Sequence, residues 1–150
     1  MDQIATKALK LLREIKSITF ATVNNGQPAA RIIDVMLVEE DGLYFLTARG
    51  KAFYKQLAAN QRIAICGMDA NYVSVRVIGD IQFCNNRNII DNIFKHNPMM
   101  NDLYPGEKRD ILEGFHLYRA GERSLIFPVN HPSVHGLPLV VKALIPRGIR

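Results

Sequence analysis

The chain has no tryptophan, only two cysteines, and nowhere a run of about eighteen apolar residues of the kind that crosses a membrane as a helix. Cys66 and Cys84 form neither a C-x-x-C pair nor a dense framework, which excludes a disulfide scaffold. Both sit in apolar, strand-like runs where a buried thiol is the ordinary occupant, and a reducing cytoplasm is the simpler setting. Lys7, Lys10, Arg13, Glu14 and Lys16 interrupt any signal-peptide core, so a soluble, unexported chain is expected. There is no block of about five or six like charges, so the formal charge of +5 favours anionic partners in general without marking a nucleic-acid arm. No G-x-S-x-G motif appears, which leaves hydrolase chemistry without support. His131 and His135 have metal-like spacing, but the surrounding prolines preclude a regular helix and no third ligand stands nearby, so no metal is expected. His96 and His116 show no carboxylate or cysteine partner in the sequence.

What is present fits one globular domain: 150 residues, 48% hydrophobic, enough for a real core. Ile4, Ala8, Leu11, Leu12 and Ile15 recur at helical spacing, predicting an amphipathic packing helix from Asp2 to Lys16. A strand from Ile18 to Val23 leads into Asn24-Asn25-Gly26, the composition of a tight hairpin turn. The next strand, from Gln27 to Val38, is apolar on both faces except at Arg31 and Asp34, as expected of a strand covered on each side. Glu39 to Gly42 reads as a turn, Leu43 to Thr47 as a strand, and Gly50 to Asn60 as a helix with Phe53 and Leu57 facing the core.

Ile63–Cys66 and Tyr72–Phe83 bracket a further turn, with Gly79 at a bulge or barrel corner. Arg87 to His96 reads as a helix, and Pro98 to Pro105 as a loop carrying Met99, Met100 and Tyr104. Phe115–Tyr118 and Leu125–Phe127 complete the sheet. Four prolines after Phe127 predict an extended tail over 128–150, tied down by Leu137, Leu139, Val140 and Val141 or by a partner chain. Short antiparallel strands joined by tight turns predict a small closed barrel with peripheral helices.

The corner from Phe45 to Asn60 is the most informative stretch. A strand runs into a helix with Lys51 and Lys55 one turn apart, so both ammonium groups can reach one anion. The plain reading of the same lysines is a solvated helix face.

These elements resemble the pyridoxamine 5'-phosphate oxidase-like, FMN-binding split-barrel family from about Leu11 to Phe83. The resemblance is carried by Phe20-Ala-Thr-Val-Asn-Asn-Gly-Gln-Pro28, Arg31-Ile-Ile-Asp34, Leu43-Tyr-Phe-Leu-Thr-Ala48, Lys55-Gln-Leu-Ala-Ala-Asn-Gln-Arg-Ile63 and Val75-Arg-Val-Ile-Gly79, in that order. It implies a mainly β fold, a six-stranded antiparallel split barrel, and a homodimer with FMN in each of two clefts between subunits. It also implies oxidoreductase chemistry with a small-molecule redox substrate or electron donor. Position by position, Arg31 matches an arginine that holds the FMN phosphate, and Ile32, Ile33 and Asp34 match backbone lining the isoalloxazine ring. Thr47 and Ala48 match the strand end beside the ribityl phosphate.

One departure stands out. The vitamin-making oxidases carry Ser-Arg-Lys where this chain has Lys51-Ala52-Phe53, and the arginine and histidine that recognise pyridoxamine phosphate have no counterpart. Oxidation of vitamin B6 is therefore not expected, and no catalytic acid or base is required. The competing class is a binding module without turnover: a flavin store, a redox sensor, or a barrel that has switched to a deazaflavin or haem.

Overall fold

The computed structural model describes residues 3–84, 86–118, 125–130 and 143–144. The chain runs α1 (Gln3–Ile15), β1 (Ser17–Asn24), β2 (Gln27–Asp34), β3 (Leu37–Glu39), β4 (Gly42–Ala48), α2 (Ala52–Ala59), β5 (Arg62–Met68) and β6 (Val73–Cys84). It continues through α3 (Arg87–His96), α4 (Met100–Leu103), a 3-10 helix (Gly106–Ile111), β7 (Leu112–Tyr118), β8 (Leu125–Asn130) and β9 (Ala143–Leu144). Most predicted elements are present within one or two residues. The tail beyond Asn130, with His131, His135, Leu137, Leu139, Val140 and Val141, lies outside the described residues apart from β9.

The β1–β2 hairpin forms as its turn chemistry dictates. Asn25 (φ 51°) and Gly26 (φ 75°) take the two left-handed positions, and Asn24 pairs with Gln27. The strand path is β2-β1-β5-β6-β7-β4-β3, antiparallel throughout, with β8 and β9 branching from β6. The two ends of this path are one stretch of chain. β2 pairs with β1, β3 pairs with β4, and only Val35 and Met36 separate them, so the path closes on itself as a barrel. Counted with β2 and β3 as one bent strand, the barrel has the expected six members, within a sheet of nine strands. Gly79 does not interrupt β6. It sits where the neighbour on one side changes from β8, which pairs through Ile78, to β7, which pairs from Ile81. The corner anticipated there is a change of partner strand.

Four expectations need correction. The strand over 27–38 is broken at Val35–Met36 and is not covered on both faces: β2 is an edge strand, and Ile32 is 64% exposed. Its apolar composition at Ile32 marks a surface left open by the described residues. The stretch between Pro98 and Pro105 is not a plain loop, because it contains α4, whose Met100 is buried. Cys66 is exposed and Cys84 half-buried, since alternation places Cys66 on the outer face of β5. His116 has a cysteine partner after all, described below.

The core is aromatic. The Phe20 and Phe45 rings meet edge-on at 5.3 Å, Phe45 stacks on Phe115 at 5.4 Å, and Phe53 from α2 packs edge-on against Phe20 at 5.2 Å. Ala5, Ala8, Leu9 and Leu12 recur at i, i+3, i+4 and i+7 and bury one face of α1 on the barrel.

The bend that closes the barrel has every backbone group satisfied. Val35 N–H donates to the Lys16 carbonyl (2.8 Å), and Met36 N–H donates to the Tyr44 carbonyl (2.8 Å). The Val35 carbonyl accepts from Arg13 Nη1 (2.5 Å), and the Met36 carbonyl accepts from Asn97 Nδ2 (2.9 Å). Buried Asn97 also donates to the Ile93 carbonyl (2.8 Å) and accepts from Arg13 Nη2 (3.2 Å). Asn97→Ala should therefore destabilise the protein by about 2 kcal/mol in urea unfolding, because it strands two carbonyls and part of a guanidinium at once. A loss below about 0.5 kcal/mol would show that the bend is held by other means.

Candidate functional site

The bend and the β4–α2 corner enclose a cavity of about 270 Å³. Its walls are Ile32, Ile33 and Asp34 from β2, Met36 from the bend, Leu46 and Thr47 from β4, Leu112 from β7, and Met99, Met100, Leu103 and Tyr104 around α4. Lys16, Lys51 and Asn97 complete the lining. Most of the lining is apolar. The polar lining residues come from different elements, with Thr47 and Lys51 on the β4–α2 corner, Lys16 at the end of α1 and Asp34 at the end of β2.

The corner is built to meet an anion. Gly50 (φ 95°) supplies a backbone angle that ordinary residues resist, and turns the chain from β4 into α2. Lys51 is then the N-cap of α2, extended and without a side-chain capping bond. Lysine cannot accept a hydrogen bond, so the first-turn N–H groups lack the oxygen that serine, threonine or aspartate would supply at this place. An uncapped helix start beside an ammonium group is a ready anion site. Thr47 adds a sharper signal. Its side chain is buried and lines the cavity, yet its hydroxyl has no hydrogen-bond partner in the protein. A buried hydroxyl left unpaired costs about 1–3 kcal/mol, so its retention points to a bound partner.

The residues nominated from the sequence separate into two groups. Ile32, Ile33, Asp34, Thr47 and Lys51 line the cavity. Ala48 lies behind its wall, packed with Phe94, Met100 and Leu112. Lys55 is one turn along α2 on its exposed face and does not line the cavity. Arg31 points elsewhere: it donates to Thr22 Oγ1 (2.9 Å), Gln56 Oε1 and the Phe20 carbonyl (3.4 Å), with its guanidinium 4.4 Å above the Phe53 ring. Those acceptors are neutral, and burial pushes the Arg31 pKa down from its usual value. Lys16 was not singled out as a site residue by sequence reasoning, and neither was Asn97. Lys16 carried one legible signal, a helix ending on lysine with no glycine or asparagine to take the left-handed position.

Cys84 Sγ lies 3.0 Å from His116 Nδ1, and the His116 ring stacks 4.9 Å from Tyr44, whose hydroxyl donates to Asp41 Oδ2 (2.6 Å). Burial pushes the Cys84 thiol up, with Asp41 adding to it. Burial also drives Tyr44 far above the usual phenol range, helped by its hydrogen bond to Asp41. Burial pulls His116 below its ordinary 6.5, against smaller opposing pulls from Asp41 and a hydrogen bond with the Gln82 backbone. Thiol and imidazole are therefore both neutral near pH 7, a packed pair and not an ion pair. Among the described residues no group of three or more His, Cys, Asp or Glu side chains can hold a metal ion, and no helix is long and apolar enough to cross a membrane.

Residues 4–112 match the family model described as pyridoxamine 5'-phosphate oxidase. No curated protein matches the sequence significantly. Among solved structures, a NimC/NimA family protein from Clostridium acetobutylicum superposes with a TM-score of 0.74 at 20% identity, covering 92% of this chain and 91% of that one. A protein from the same organism, related to general stress protein 26 of B. subtilis and of the pyridoxinephosphate oxidase family, gives 0.64 at 12% identity over 94% and 96%. An FAD-binding protein from Mesorhizobium loti gives 0.60 at 18% identity over 76% and 88%. At these identities the likeness is one of fold, and it agrees with the split barrel traced above.

Two predictions follow from the geometry alone. Thr47→Val keeps the shape and removes the orphaned hydroxyl, so the ligand-free protein should gain about 1 kcal/mol in chemical denaturation; a loss of that size would reveal a partner for the hydroxyl. His116 is the second case. Its folded pKa lies below its unfolded one, so the unfolded chain binds the extra proton and stability falls as pH drops below about 6.5. Between about pH 7.5 and pH 5.5, wild type should lose more stability than His116→Gln, and parallel pH profiles would contradict this.

Proposed function

Because the chain belongs to the pyridoxamine 5'-phosphate oxidase family, we propose that it is an FMN-binding flavoprotein acting as an oxidoreductase, with the cofactor seated in the cavity between β2, β4 and α4. The observation that carries this reading is the orphaned Thr47 hydroxyl beside the uncapped start of α2 and Lys51. A flavin phosphate bears close to two negative charges and takes hydrogen bonds from a hydroxyl, from helix N–H groups and from an ammonium group, and these are the donors gathered at that corner. The apolar walls, Met36, Leu46, Met100 and Leu112, suit a flat ring system, with Ile32 and Ile33 on the β2 side. The fold likeness to an FAD-binding protein supports the same choice.

When bound, the flavin supplies hydride or electron transfer. The protein's part is to fix the phosphate at the corner, keep water off the ring through the α4 wall, and present polar groups at Lys16 and Asp34. Arg31 serves a different end, tying β2 to α2 through Gln56, and Lys51 with Thr47 takes the anchoring role. Exposed Ile32 on the edge strand, beside the cavity, is the surface a second protomer covers in a homodimer. Lys51-Ala52-Phe53 in place of Ser-Arg-Lys directs the site to a reaction other than vitamin B6 oxidation.

The test is the spectrum of the purified protein, followed by titration with FMN and riboflavin. FMN should bind at least about tenfold more tightly than riboflavin, and Lys51→Ala should remove most of that difference while leaving riboflavin affinity unchanged. Equal affinity for the two would refute the phosphate corner. A colourless protein that ignores FMN would sink the flavin reading, and a Soret band would indicate haem instead.

A further inference from the structure

Lys16 stands in a backbone conformation that lysine resists. It follows the last residue of α1 with φ 71°, in the left-handed region where glycine or asparagine is the usual helix terminator. The position is held from both sides, because Lys16 N–H donates to the Leu12 carbonyl (3.0 Å) and its own carbonyl accepts from Val35 N–H (2.8 Å). Glycine would meet the same backbone bonds without strain, so the bonds alone do not explain the side chain. What the side chain does is reach the cavity. Its ammonium lies 3.7 Å from Asp34 Oδ2 and 3.7 Å from Met99 Sδ, and all three residues line the cavity. Asp34 is itself fixed, its other oxygen accepting from Ser17 Oγ (2.6 Å). Strain retained at a cavity wall is a mark of function.

We propose that Lys16 sets the redox poise of the site, its ammonium stabilising the negative charge that two-electron reduction leaves on the ring of a bound flavin; this rests on the FMN reading above. The polar lining residues divide the work. Lys51, Thr47 and the helix start meet the phosphate, whose charge is the same in both redox states, so they bind oxidised and reduced cofactor alike. The ring's polar pyrimidine edge requires polar partners, and the polar lining residues that do not belong to the β4–α2 corner are Lys16 and Asp34, with Asn97 fully engaged in the bend and Tyr104 following α4. A cation there discriminates between redox states and so tunes the cofactor. Asp34 tempers that cation, and Lys51 in the same cavity acts mainly on the phosphate. Arg13, Glu14 and His96 line the adjoining cavity that shares Lys16 and complete the local field.

The experiment compares the FMN-loaded wild type with Lys16→Gln, Lys16→Arg and Lys16→Gly, reading the midpoint potential by dye equilibration and the affinity for oxidised FMN by fluorescence. Lys16→Gln should weaken binding of reduced relative to oxidised FMN about tenfold, a fall of ~30 mV for a two-electron couple. Lys16→Arg should keep the wild-type potential. Lys16→Gly, which relieves the backbone while removing the charge, should show the same fall and remain folded. Unchanged potentials in flavin-loaded Lys16→Gln and Lys16→Gly would overturn the proposal and leave FMN binding standing. A wild type that takes up no FMN would overturn the cofactor reading and this inference with it.

Discussion

The structure hangs on a two-residue bend. Val35 and Met36 carry the chain from one edge of the barrel to the other, and a bend in mid-strand exposes four backbone groups that the sheet would otherwise pair. Each unpaired group would cost about as much as a lost hydrogen bond. Here the Lys16 and Tyr44 backbones and the Arg13 and Asn97 side chains answer all four. The partners come from the end of α1, from β4 and from the residue that caps α3, so one local requirement fixes the relation of three layers.

The cavity is a by-product of that closure. Bending the strand brings β2 and β4 to the same end of the barrel, while Asn97 anchors the segment that leads into α4 and forms the facing wall. The same bend holds Lys16 by its carbonyl. The aromatic core of Phe20, Phe45 and Phe115 packs the barrel interior, and the cavity lies at this outer edge. Polar groups from three elements thereby share one mostly apolar lining.

Much of this was legible beforehand, for physical reasons that differ from place to place. Asn24-Asn25-Gly26 admits few conformations other than a tight turn, so the first hairpin was secure. The helix over Arg87–His96 was equally plain, since its apolar positions recur at helical spacing. The cavity was partly legible, through the resemblance that nominated Ile32, Ile33, Asp34 and Thr47 and through the strand-to-helix corner that nominated Lys51. The direction of Arg31 was not, because a side chain on an edge strand chooses between neighbours that sequence does not reveal. Gln56 and Thr22, on α2 and β1, are such neighbours. Nor was the pairing of Cys84 with His116, which depends on β6 lying beside β7 with Gln82 opposite His116.

By itself, then, the sequence determined most of the elements: turn residues and alternating apolar positions act over a few residues, and they locate the hairpins and the longer helices, though not the break at Val35–Met36 or the short α4. It also determined the chemistry available at the β4–α2 corner, since threonine, glycine and lysine lie within five positions of one another. The tertiary structure alone decided which of these groups share a space. Barrel closure at Val35–Met36 brought Lys16 and Lys51 to one cavity and left the Thr47 hydroxyl buried without a partner, because satisfying four stranded backbone groups required partners from distant parts of the chain.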